Sequence, residues 1–104
     1  MSNVYYHATS EENAYSIVSD GEIKPSIEGI VYCCTSLEDS LKFVVLRAIK
    51  GQHIVIFKIN VPEGVEVEET FDHSEQFFQC KSYGICSKVP LEWIDLEGTM
   101  QYTV

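Results

Sequence analysis

The stretch YYHATSEENA, residues 5–14, runs from an aromatic segment through a histidine straight into a helix-start signal. Around it, NVYYHAT alternates with the period of a strand, Val4, Tyr6 and Ala8 toward one face and Tyr5, His7 and Thr9 toward the other. TSEE then reads as a capping box, with Thr9 as the N-cap and Glu12 reaching back to it. Ala14, Ile17 and Val18 supply an apolar stripe and Gly21 a stop, which predicts a helix over about residues 10–20. A strand handing over directly to a helix, with a histidine at the junction, sets the start of the fold.

Working outward, GEIKPS is a short extended piece that Pro25 keeps out of a helix. GIVYCCT, after Gly29, is an almost wholly apolar run and predicts a buried strand with Tyr32 at its middle. Ser36 caps a second helix with Asp39 in its first turn; Leu37, Leu41, Val44, Val45 and Ala48 follow helical spacing, and Gly51 ends it. HIVIFKINV (53–61) is the strongest strand in the chain, closed by the turn PEG.

The remainder is rich in strands. VEVEETF alternates as an edge strand with acids facing water, DHSEQ is a polar loop, and FFQCKSYGICSKV is strand-like but interrupted at Gly84. PLEWI is a turn or a single helical turn opened by Pro90, and MQYTV a last strand. Two helices in the N-terminal half followed by a β-rich half predict an α+β domain rather than a doubly wound sheet. At 104 residues the chain suits one domain, 1–104, with one modest core.

Sixteen carboxylates against seven Lys and Arg give a net charge of -9, which repels phosphate backbones and makes nucleic acid an unlikely partner. The same acidity suits the approach of basic proteins. No segment is apolar enough to span a membrane and no signal peptide is read at the N-terminus, so a cytoplasmic protein is expected. Cys33, Cys34, Cys80 and Cys86 show no CxxC spacing, and adjacent strand cysteines point to opposite faces. They are expected to be reduced thiols rather than ligands of a structural metal.

A lone strand histidine is commonly structural, and a strand tyrosine commonly belongs to a core. His7, however, shares its face with Tyr5 and Thr9, and Tyr32 runs into a capped helix. Tyr32 and Phe43 can form two aromatic walls for a planar ring, with the Ser40 hydroxyl one turn before Phe43 available to an amide.

YHATSEENAYSIVSDGEIKPS followed by GIVYCCTSLEDSLKF resembles the front half of the ADP-ribosyltransferase fold, in the branch shared by diphtheria toxin and the poly-ADP-ribose polymerases. In that branch come a strand with a His, a helix, a Gly-hydrophobic-Tyr strand, and a helix bearing a Ser and an aromatic. Here those are His7, Tyr32, Ser40 and Phe43, with Ser40 and Phe43 standing eight and eleven residues beyond Tyr32. The resemblance covers about half the chain and implies a split antiparallel β core.

It also implies that His7 holds a ribose hydroxyl of NAD, that the backbone of Ala8 (usually Gly in the family) pairs with the nicotinamide carboxamide beside Thr9, and that Ser40 binds the same carboxamide. Tyr32 and Phe43 would sandwich the ring. The implied chemistry is cleavage of the nicotinamide–ribose bond through an oxocarbenium-like state that a carboxylate stabilises, with transfer to a protein, a nucleotide or water; the net charge favours a protein acceptor over nucleic acid. Relatives often carry Glu-Tyr on a late strand where this chain has Ser82-Tyr83. Asp72 and Glu75, with His73 and Ser74 beside them, are the substitutes within reach in sequence; the alternative for them is a solvated acidic loop. Small size and acidity also resemble phage-encoded modifiers of host defence systems. A second reading keeps the fold without the glutamate, as a binding module that acts through its acidic surface.

Overall fold

A computed structural model of the chain describes residues 3–25, 29–38, 40, 50–70 and 82–104. The described elements are mostly strands, with one complete helix among them, and the class is α+β. β1 (Asn3–Ser10) leads into α1 (Glu11–Asp20); β2 (Glu22–Ile23) and β3 (Val31–Cys33) follow. β4 (His53–Val61), β5 (Val67–Thr70), β6 (Ser82–Ile85), β7 (Val89–Pro90), a 3-10 turn (Leu91–Trp93) and β8 (Ile94–Thr103) complete the order. No described helix is long and apolar enough to cross a membrane.

The strands form antiparallel sheets ordered β1-β4-β8 and β3-β6-β5, with a short β2-β7 pair. Among the described residues the two larger sheets meet at one bridge. Tyr6 N–H donates to Cys34 C=O at 2.7 Å and Cys34 N–H donates to Tyr6 C=O at 2.9 Å. Beyond that point the edges of β1 and β3 are not paired with each other among the described residues. One cluster of buried side chains joins the sheets, drawing Tyr5 from β1, Val31 and Cys33 from β3, Phe57 and Ile59 from β4, and Ile85 from β6.

β4 occupies the range its apolar run predicts, and burial on both faces explains the run: Ile54, Val55, Ile56 and Phe57 are all buried. α1 begins one residue later than the capping-box reading implies. Thr9 is still on β1, opposite Val55, and Ser10 is the N-cap, its hydroxyl accepting from Asn13 N–H at 3.3 Å. Gly21 ends the helix as expected, left-handed at φ 79° with its N–H on Ile17 C=O. The apolar stripe is narrower than predicted: Ala14 is buried and Ile17 packs on the core, whereas Val18 is 50% exposed.

Other expectations need correction. Tyr5 is a core residue, its ring 5.7 Å from that of Tyr83, so the face it shares with His7 and Thr9 is apolar at one end and polar at the other. Gly84 does not interrupt its strand; it lies mid-β6, opposite both Tyr32 and Glu68. The last strand starts at Ile94, well before MQYTV, because Asp95 accepts from the N–H groups of Glu97 and Gly98 and carries the chain through an irregular step without leaving β4. Of the second helix, Leu37, Glu38 and Ser40 are helical, with Ser40 N–H on Ser36 C=O at 3.2 Å. The expected continuation over residues 41–49, with Phe43, lies outside the described residues, as do Asp72, His73, Ser74 and Glu75.

Candidate functional site

The site is built where β1 leaves its bridge to Cys34. In an antiparallel strand, alternate residues turn their N–H and C=O toward opposite edges. Tyr6 turns both toward Cys34, so Tyr5, His7 and Thr9 pair with β4, and Ala8 turns its backbone groups the same way as Tyr6. With the β1 and β3 edges not paired there among the described residues, that direction is the split between the sheets.

The His7 side chain crosses the split. Its Nδ1 lies 2.6 Å from Tyr32 C=O. A carbonyl can only accept, so Nδ1 carries the proton. Loss of water around the ring holds the imidazole below its ordinary pKa, outweighing the Tyr32 bond that favours the cation. At neutral pH the ring is therefore uncharged, and Nε2 presents a lone pair that accepts from a hydroxyl.

His7 and Tyr32 line one cavity of about 340 Å³. α1 contributes Asn13, Ser16 and Asp20, and β2 contributes Glu22, beside Thr9 from the end of β1. Tyr32 is 39% exposed rather than buried, because in the three-residue strand β3 only Val31 and Cys33 turn into the core. It lines the cavity beside His7. Lys24, also on the wall, is ion-paired with Asp20 at 3.5 Å, which leaves the lining without a strong anion-binding cluster.

Ser40 sits elsewhere. It is 3% exposed, does not line the cavity, and donates its hydroxyl proton to Tyr6 C=O at 2.6 Å. That hydroxyl keeps its lone pairs, so it remains an acceptor but not a free donor. His7, Thr9 and Tyr32 are therefore brought together, Ala8 offers backbone groups beside them, and Ser40 supports the strand from behind the bridge.

Sheet register adds a residue that the sequence did not single out. Glu68, Gly84 and Tyr32 stand in one row across β5, β6 and β3, so Glu68 and Tyr32 share a face with only a glycine between them. The period-2 alternation of VEVEET was the available signal, read only as acids facing water. Glu68 also lies with Glu66 near the Cys86 thiol, all three donor atoms within 4.8 Å. Partial loss of water, and then those carboxylates, hold Cys86 above its ordinary pKa, which makes it a poor nucleophile. Cys33, Cys34 and Cys86 form no disulfide with one another.

No family model matches the chain, and no curated protein or solved structure matches it.

Proposed function

We propose that the chain is a minimal ADP-ribosyltransferase-like domain whose split antiparallel core opens beyond the Tyr6–Cys34 bridge, and that it transfers ADP-ribose from NAD to a protein. The reading rests on one observation: a neutral strand histidine bonded to Tyr32 C=O at 2.6 Å, with both residues facing one cavity. In this reading His7 Nε2 accepts from a ribose hydroxyl of NAD. Ala8 N–H and C=O pair with the nicotinamide carboxamide, Thr9 lines the same end, and the Tyr32 ring stacks on the nicotinamide. Phe43 is the second wall.

The nicotinamide–ribose bond breaks with its electron pair leaving on nicotinamide. The anomeric carbon passes through an oxocarbenium-like state and forms its new bond to an acceptor oxygen or nitrogen. The acceptor proton goes to a carboxylate, Glu75 or Asp72. A cytoplasmic setting fits this reading, since it supplies NAD.

A second reading is favoured by Ser82. It stands on β6 next to Tyr83, the partner of Cys33, at the position where the resemblance calls for an acid. Without that acid the domain binds a basic partner and leaves NAD intact. Nicotinamide release from NAD, with and without a bacterial lysate, separates the two. Transfer predicts release that falls on the order of a hundredfold in His7→Ala and in Tyr32→Ala. No release in any mixture refutes transfer and leaves the binding module.

A further inference from the structure

We propose that the outer edge of β8 pairs with the same edge of a second copy of this chain, joining two three-stranded sheets into one of six strands. The geometry that points there is hydrogen-bond parity. Val104 N–H donates to Gln52 C=O at 2.9 Å, and Val104 C=O accepts from Gly51 N–H at 2.7 Å, so Val104 turns inward to the sheet. By alternation Tyr102 and Met100, opposite Ile54 and Ile56, also turn their backbone toward β4. Thr99, Gln101 and Thr103 then turn N–H and C=O to the outer edge, where no described strand takes them.

Among the described residues this edge lacks the usual protection. Natural edges are blunted by charge, proline or a bulge. The bulge of β8 takes up residues 96–99, between the Lys58–Asp95 and Ile56–Met100 pairs, and from Met100 onward MQYTV carries no charged side chain and no proline. In a chain of net charge -9 that gap is conspicuous. Met100 is 52% exposed and Tyr102 46%, although both lie beside the fully buried Ile54 and Ile56.

A two-fold axis through Gln101 makes the segment self-complementary. Gln101 faces its own counterpart, Thr99 faces Thr103 and Thr103 faces Thr99, all as hydrogen-bonded pairs with outward N–H and C=O. Met100 and Tyr102 then meet as the closer, non-hydrogen-bonded pairs, a thioether against an aromatic ring on each side of the axis. Across the pairs formed by residues 99–103 no acidic side chain stands opposite another. The remaining charge of each copy still repels the other, which makes the dimer weaker at low salt.

Sedimentation velocity of the full chain tests this, from about 10 µM to about 1 mM. The expected result is a reversible dimer that tightens as salt is raised. Gln101→Lys puts two ammonium groups together at the axis, and Gln101→Pro removes an outward N–H without touching a bond to β4. Each should weaken the dimer at least about tenfold, with circular dichroism unchanged. A parent chain that stays monomeric across the range overturns the proposal. So does a dimer that well-folded Gln101→Lys and Gln101→Pro variants leave intact.

Discussion

Replacing His7 by Ala removes the 2.6 Å hydrogen bond that ties β1 to Tyr32 C=O across the split. The lost bond and the carbonyl left behind together cost about 1–3 kcal/mol. Tyr32 is 39% exposed, so water replaces part of the loss and the lower half applies, about 1–2 kcal/mol. For a chain of this size that is a fall in melting temperature of about 4–8 °C per kcal/mol. His7→Asn sets a side-chain amide N–H about where Nδ1–H stands and should recover most of the loss. The pH dependence separates the two effects of the ring. The folded pKa lies below the ordinary 6.5, so the unfolded chain takes up a proton before the folded one does. The stability this contributes is present above the ordinary value and is lost as pH falls through the folded value. Urea melts followed by circular dichroism at about pH 7 and about pH 5 should show the parent losing stability faster than His7→Asn. Ala and Asn variants of equal stability, or an Asn variant that loses stability faster than the parent on acidification, would refute the reasoning.

Ser10→Ala should destabilise the fold by about 0.5–1 kcal/mol, the low end for a cap because its bond to Asn13 N–H is long at 3.3 Å. Thr9→Ala should lose no cap energy; equal thermal shifts for the two variants would restore Thr9 as the cap. Burial, and then Cys34, pushes the Cys33 thiol up to about 12. An aromatic disulfide reagent at neutral pH, read by peptide mass mapping, should therefore leave Cys33 and Cys34 unlabelled until the chain unfolds. Native labelling of Cys33 at the rate of a free thiol would remove it from the core.

What the sequence made legible follows from where local preference and packing agree. HIVIFKINV is readable because a strand buried on both faces needs an unbroken apolar, β-branched run, and no helix signal competes. The N-cap is displaced because Thr9 and Ser10 are both competent caps, and only pairing with Val55 and Ile54 keeps the strand going through Ser10. Gly84 looks like a break when read along the chain, but across the sheet it faces Tyr32 and Glu68. The exposure of Tyr32 is hidden for a related reason. In GIVYCCT every neighbour is apolar, and three strand residues carry too little alternation to show which one turns outward. His7 itself was legible as a candidate. Its bond to a carbonyl 25 residues away, which settles the tautomer, was not.

The candidate site is also locked to the core through register. Tyr5 and His7 lie on one face of β1, opposite Ile59 and Phe57. A slip of β1 by one residue would turn every side chain to the other face, expelling Tyr5 from the core and carrying His7 away from Tyr32. The slip would also reverse the direction of the Tyr6 backbone and break the bridge to Cys34. Burial of Tyr5 and Phe57 therefore holds the imidazole at the split, although neither residue lines the cavity. The same parity runs through β4 to the far edge. β4 alternates its backbone between β1 and β8, so the register that turns Ala8 into the split also turns Gln101 outward. One central strand thus sets the direction of unpaired backbone groups at both margins of the sheet.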